Sequence, residues 1–117
     1  MTDDDFRRLI AGYLSTANPE MAGIEIDHAP GHEGYGLDHA LAKHDVRQDE
    51  IEQVLREFPA PEEKRSREDP KRTLFWGATR AGRWLTVVTR DERHGTRRKL
   101  TLITAFDETD EQWRQRR

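Results

Sequence analysis

The sequence predicts a single α+β domain in which helices come first, a small antiparallel sheet follows, and a short helix ends the chain. Three observations lead to this expectation. At 117 residues the chain has room for one core. Apolar residues recur at helical spacing before residue 58 and in strand-like runs after residue 71. Because 33% of residues are hydrophobic and 37% are charged, the core depends on these few patterned segments.

The first predicted helix covers residues 3–16, within a helical extension that spans residues 1–20. Acidic side chains stand at its start, where they favour the positive end of the helix dipole, and Thr2 can cap it. Asn18-Pro19 ends the helix. Its apolar stripe follows the i, i+3, i+4, i+7, i+8 spacing and consists of Phe6, Leu9, Ile10, Tyr13 and Leu14.

A short strand and two more helices are expected next. Residues 24–27 alternate between apolar and acidic side chains, which is typical of a strand, and the glycines and proline of residues 28–36 predict an irregular loop. A second helix is predicted over residues 37–44. Asp45 is then expected to cap a third helix, with Gln48 at the reciprocal capping-box position. The apolar stripe of this third helix consists of Ile51, Val54, Leu55 and Phe58.

The second half of the chain predicts three strands. Residues 59–70 have proline at both ends and charge throughout, so they are expected to form an exposed connection. The strand-like runs that follow are rich in β-branched and aromatic residues and cover residues 72–79, 83–90 and 98–106. Residues 80–82 and 91–96 are short enough to be hairpin turns, which predicts antiparallel pairing. Residues 108–117 are expected to form a short polar helix at the end of the sheet.

The two halves of the chain differ in charge. Residues 1–58 carry 13 acidic and 5 basic side chains, whereas residues 59–117 carry 10 acidic and 15 basic ones. A basic surface on the second half could attract phosphates through long-range electrostatics and counterion release. The alternative is that the two halves neutralise each other across the fold.

Composition also excludes several classes of protein. The chain has no cysteine, which rules out a disulfide framework, a thiolate metal site and a cysteine nucleophile. Its acidic N-terminus is unlike a signal peptide, and no apolar run approaches the roughly 18 residues that a membrane span needs. These features predict a cytoplasmic protein without a membrane partner. No phosphate-binding P-loop, dinucleotide fingerprint or Ser-His-Asp arrangement is present.

Two stretches of the chain resemble motifs of a known protein family. Residues 42–55, which begin Ala-Lys-His-Asp-Val, resemble the KHGV…EE helix–turn–helix of the BrnT-type toxins, although Asp45 stands in place of the family glycine. Residues 76–88, continuing to residues 102–105, resemble its glycine-turn hairpin, and the likeness covers roughly residues 24–112. The resemblance implies a RelE-like fold, growth inhibition in bacteria through RNA cleavage, and a cognate antitoxin as partner. The usual arginine pair after the last strand is replaced by Phe106-Asp107.

RNA carries its own nucleophile, the 2′-OH, so cleavage needs a proton acceptor, a proton donor and cations at the phosphate, without a metal or other cofactor. The candidate catalytic residues are His39, Lys43 and His44. His39 and Lys43 share a helix face by their i, i+4 spacing, whereas His39 and His44 are expected to diverge; the resemblance favours Lys43 with His44. The candidate RNA-binding residues are Arg80, Arg83, Arg90, Arg97 and Arg98.

Alternative roles are open for these residues. His44 can cap or pack against its own helix, and the arginines can keep the sheet soluble and blunt its edges. Likewise, His28, His32 and Glu33 are suitable metal ligands, but Pro30-Gly31 excludes the helical His-x3-His geometry, so no metal site is predicted. The alternative to a ribonuclease toxin is a non-catalytic α+β module that binds a protein or nucleic acid through its basic sheet.

Overall fold

A computed structural model describes residues 24–57 and 60–108 of the chain. These residues form two helices and one five-stranded sheet, which confirms the α+β class. In chain order the elements are β1 (Glu25–Asp27), α1 (Leu37–His44), α2 (Gln48–Arg56), β2 (Glu62–Arg65), β3 (Arg72–Ala78), β4 (Trp84–His94) and β5 (Arg97–Asp107). Two predicted elements lie outside the described residues: the first helix and the C-terminal helix, of which only Glu108 is described. Phe58 also lies outside them.

The helix α1 has the predicted bounds and is anchored to the sheet at its start. Gly36 has a φ of 86°, and a Cβ there would lie 2.3 Å from the carbonyl oxygen of Ala29, so only glycine fits this position. The N–H of Gly36 donates to the carbonyl of Ile103 in β5 at 2.8 Å. This contact places α1 beside β5.

The end of α1 corrects the prediction for Asp45. Asp45 does not begin the third helix; it ends α1 in the left-handed conformation, with φ 53° and ψ 41°. Its N–H donates to the carbonyl of Leu41 at 3.1 Å. Aspartate tolerates this backbone better than most residues because a short polar side chain can hydrogen-bond to the neighbouring backbone.

The helix α2 is fixed at its start by Glu50 rather than by the predicted pair of Asp45 and Gln48. The Glu50 carboxylate accepts a hydrogen bond of 3.1 Å from the backbone N–H of Arg47, one position before the helix. The three described residues of its predicted stripe, Ile51, Val54 and Leu55, are buried, which confirms the face that packs on the sheet.

The sheet has the order β1-β5-β4-β3-β2. Its centre, β3-β4-β5, is the predicted antiparallel meander. The prediction of a purely antiparallel sheet is wrong, because β1 precedes the helices and pairs in parallel with β5, with Ile26 opposite Leu100. The predicted exposed connection over residues 59–70 is largely exposed where it is described, but the prediction missed a strand, because β2 pairs with β3 there. Its four residues are charged and exposed, so β2 lacks the apolar alternation that identifies a strand.

The hairpin of β4 and β5 is longer than predicted. Strand pairing continues to His94 and Arg97, so most of the predicted turn over residues 91–96 belongs to the two strands. Gly95, with φ 62°, and Thr96 form the connection. Charged side chains, among them Arg98 and Asp91, connect the two strands over this stretch. Their charge conceals the strand character of the stretch in the sequence.

The core lies between the helices and one face of the sheet. It is formed by fully buried apolar side chains, including Phe75, Leu85, Val87, Leu100 and Leu102 from the strands. Burying side chains of this size contributes about 1.5–3 kcal/mol each. None of the helices in the described part of the chain has the length and apolarity needed to cross a membrane.

Candidate functional site

Two predicted catalytic histidines meet where α1 ends. The His39 and His44 rings lie edge to face, with 6.0 Å between their centroids, and the His44 ring lies 5.7 Å from that of Phe106 in β5. The expectation that His39 and His44 diverge is therefore wrong. His44 is the last residue of α1, and its ring turns toward Phe106, which brings it back to His39. Both histidines are partly exposed, and Lys43 is exposed in the same turn.

Arg83 fixes the backbone that carries these histidines. Its guanidinium donates to the carbonyls of His44 at 3.0 Å and Asp45 at 2.7 Å, which are left without helical partners where α1 ends. It also donates to the Asp107 carboxylate at 2.6 and 2.9 Å and to Glu50 at 3.2 Å. These contacts use all five N–H donors of Arg83. A phosphate could bind the predicted RNA-binding residue Arg83 only by displacing one of these partners, of which Asp107 is the most exposed.

The electrostatics of this cluster follow from those contacts. The hydrogen bonds from Arg83 lower the pKa of Asp107. The charges of Arg83 and His44 lower it further. The pKa of Arg83 is raised, chiefly by its hydrogen bond to Asp107. Both groups are therefore charged throughout the neutral range. We call the six residues at this end of the sheet the histidine end: His39, Lys43, His44, Arg83, Phe106 and Asp107.

The opposite end of the sheet carries a second arginine cluster. Arg98 donates to both oxygens of Asp91, at distances from 2.6 to 3.2 Å, and to Glu63. It also lies over the Phe75 ring, 5.6 Å from its centroid. The side chains of Arg98 and Asp91 are only 15% and 5% exposed, so this predicted RNA-binding residue connects β2, β4 and β5 instead of facing solvent.

Asp91 remains ionised despite its burial. Burial alone would raise the pKa of Asp91, but hydrogen bonds from Arg98 and from the Thr73 hydroxyl, together with the nearby positive charges, outweigh it and lower the pKa. The buried carboxylate is thus fully partnered.

The hairpin of β4 and β5 projects beyond this cluster. The first residue of β3 pairs with Arg90, so the hairpin tip extends past β3, beside the loop that joins β2 to β3. The N–H of Asp91 donates to the carbonyl of Lys71 in that loop at 2.7 Å. Five exposed basic or histidine side chains form this surface, which we call the hairpin end: Arg67, Lys71, Arg93, His94 and Arg97.

The remaining predicted RNA-binding residues lie apart from one another. Arg80 lies on the turn between β3 and β4, with its Nε 3.0 Å from a Glu57 carboxylate oxygen. Arg90 faces Glu92 at 3.5 Å at the base of the hairpin. Arg97 is exposed at the tip and forms no ion pair with another described residue. The structure therefore does not gather the five arginines into one surface.

The loop histidines have separate partners. His28 is buried, and its Nε2 lies 2.7 Å from the Glu52 carboxylate, whose pKa is lowered first by this hydrogen bond and then by those from Arg56. His32 stacks on Tyr35 with 4.4 Å between ring centroids. Residues 24–57 and 60–108 contain no group of three or more histidine, aspartate or glutamate side chains placed to hold a metal ion.

Sequence reasoning missed Glu50 and the role of Asp107. Both carboxylates bind Arg83, which comes more than 20 positions after Glu50 and more than 20 positions before Asp107. No local spacing in the sequence therefore indicates the cluster. The only signal was that Asp107 replaces an arginine of the family that the sequence resembles. No protein-family model matches the chain, and no curated protein is significantly similar to it. The BrnT-type resemblance therefore stays a prediction.

Proposed function

We propose that the protein is an endoribonuclease toxin of the BrnT type, which cleaves RNA without a metal and is neutralised by a cognate antitoxin. The observation that carries this proposal is the pair of partly exposed imidazoles at the end of α1, 6.0 Å apart, with Lys43 beside them. Two imidazoles at this separation can both reach the atoms of one phosphodiester linkage.

The reaction needs one imidazole as base and the other as acid. The base removes the proton of the 2′-OH, whose oxygen attacks the adjacent phosphorus, and the acid protonates the departing 5′-oxygen. The products are a 2′,3′-cyclic phosphate and a free 5′-OH. Lys43 supplies a positive charge for the phosphate oxygens in the transition state. Arg83 acts as a positioning residue, since it holds the carbonyls of His44 and Asp45.

Cleavage of a labelled RNA by the purified chain in the presence of EDTA tests the chemistry. We expect a bell-shaped pH dependence in the parent and a loss of kcat of about 100-fold or more in His39→Ala and in His44→Ala. His32→Ala is the matched control, because His32 stacks on a loop tyrosine away from this pair. Full activity of either folded histidine variant, or cleavage of an RNA lacking the 2′-OH, would contradict the mechanism.

Growth of bacteria tests the toxin proposal. Expression of the chain alone should slow growth and deplete RNA, and Lys43→Ala/His44→Ala should relieve this effect while remaining folded. Unchanged growth on expression of the parent would argue against a toxin, even if the purified protein cleaved RNA.

A second candidate function is a non-catalytic module that binds RNA or a protein. It is favoured by the separation of the exposed cations at the hairpin end from the histidine pair. This function predicts RNA binding that weakens with salt and no cleavage under any condition in which the protein is folded.

A further inference from the structure

We infer that the substrate of the proposed ribonuclease is an RNA strand long enough to contact the histidine end and the hairpin end at once, and that short oligonucleotides are poor substrates. This inference rests on the proposed function and adds to it the length of the substrate and the surface that binds it. It follows from where the available positive charge lies relative to the imidazole pair.

The histidine end has little positive charge to offer a strand. All N–H donors of Arg83 are occupied. Arg80, on the turn just before Arg83, lies outside the histidine end, and its guanidinium faces Glu57 at 3.0 Å. Among the described cations of the histidine end, Lys43 alone is exposed without an ion pair. Affinity for a nucleic acid increases with the number of phosphates that are neutralised, so the contribution of one lysine is small.

The hairpin end has the opposite character. Arg67, Lys71 and Arg97 are exposed, and none forms an ion pair with another residue in the described ranges. The closest carboxylate oxygens to Arg93 are 3.8 and 3.9 Å away, at the limit of an ion pair. Most carboxylates nearby are directed elsewhere, since Asp91 and Glu63 bind Arg98, Asp69 faces Arg72 at 3.5 Å and Glu92 faces Arg90 at 3.5 Å. Glu68, beside Arg67, is exposed and offsets one of these positive charges. Positive charge is therefore in excess at this surface.

The distance between the ends sets the length of the substrate. Strand β5 runs from Arg97 at the hairpin tip to Asp107 at the histidine end, which is 11 residues. At roughly 3.3 Å per residue this corresponds to about 35 Å. A base-stacked strand advances about 3.4 Å per nucleotide, so about 10 nucleotides connect the two ends. An RNA of four nucleotides cannot contact both.

Steady-state cleavage of a 20-nucleotide and a 4-nucleotide RNA of shared sequence tests this inference. We expect the parent to show a kcat/KM at least about tenfold higher for the longer RNA, mainly through KM. Arg67→Glu/Lys71→Glu should remove most of this advantage and leave cleavage of the 4-nucleotide RNA unchanged. Lys64→Glu is the matched control, since Lys64 is an exposed cation on the edge strand β2 outside the hairpin end, and should change either value less than about twofold.

The outcomes separate the inference from the proposed function. Equal kcat/KM for the two RNAs in the parent, or an equal loss on both RNAs in the folded double variant, would overturn the inference and leave the ribonuclease in place. Absence of cleavage of either RNA by the folded parent would refute the proposed function and the inference with it. Equilibrium binding of the 20-nucleotide RNA adds a second measurement: the double variant should flatten the log–log salt slope by about 1.4, which is 0.7 for each lost phosphate contact.

Discussion

Arg83 and Arg98 lie at opposite ends of one sheet face, and each binds two carboxylates. Arg98 is the more buried, and its main partner Asp91 is almost inaccessible, so the cluster connects strands to one another. Arg83 is 26% exposed, its partner Asp107 is 59% exposed, and it also binds two carbonyls of α1. The same residue type therefore stabilises the sheet at one end and positions a helix terminus at the other.

The largest effect should come from Arg98→Met. The substitution leaves the buried Asp91 carboxylate without its main partner, which is expected to lower the free energy of unfolding by about 3–5 kcal/mol. Urea denaturation measures this change. Arg93→Met, which removes an exposed arginine only two positions from Asp91, is the control and should cost less than about 1 kcal/mol. Equal costs for the two variants would mean that burial of the Arg98 cluster does not set its strength.

Arg83→Met should have a smaller effect on stability and a larger effect on the histidine pair. We expect a loss of about 2–3 kcal/mol, because water can reach Asp107 but the carbonyls of α1 and Glu50 lose their donor. NMR spectra of the imidazoles should show that His39 and His44 have changed their surroundings. Arg98→Met, studied under conditions where it is folded, should leave those signals in place. Changed imidazole signals in Arg98→Met and unchanged signals in Arg83→Met would show that α1 is positioned by the sheet rather than by Arg83.

Acid should weaken the Arg98 cluster through Asp91. The pKa of Asp91 is lowered in the folded state, so its contribution to stability is present above the unfolded value of about 3.9. It is lost as the pH falls through the folded pKa. Asp91→Asn should therefore be less stable than the parent at neutral pH, with a shallower loss of stability below about pH 4. Thermal melts across this pH range measure the stability of both proteins. An equal change of stability with pH in the parent and in Asp91→Asn would contradict the lowered pKa of Asp91.

The smallest effect is expected at Asp45, beside Arg83. Asp45→Gly relieves a left-handed backbone conformation and should raise the free energy of unfolding by a few tenths up to about 1 kcal/mol. Asp45→Ala should lower it by about 1 kcal/mol, since alanine has neither the freedom of glycine nor a polar side chain. Both changes keep the backbone carbonyl that Arg83 binds, so chemical denaturation isolates the cost of the conformation itself.

The sequence allowed prediction of the parts of the fold that follow from local patterns. The buried stripe of Ile51, Val54 and Leu55 and the meander of β3, β4 and β5 come from periodicity and turn residues. Strand β2 escaped prediction because its side chains are all charged. The histidine contact escaped it because ideal helix geometry places residues five apart on different sides, whereas contact with Phe106 turns the last side chain.

The parallel pairing of β1 with β5 has a consequence for the order of folding. Glu25 lies opposite Lys99, 74 positions later in the chain, whereas the β4–β5 hairpin joins residues that are only a few positions apart at its tip. Closing the longer loop costs more entropy, and its partner surface exists only after β5 has been assembled. We therefore expect the first described strand made during synthesis to be the last to join the sheet. Until it does, the edge of β5 at Lys99–Thr101 is open to strands from other chains, and the time spent in that state sets the exposure of the folding protein to aggregation.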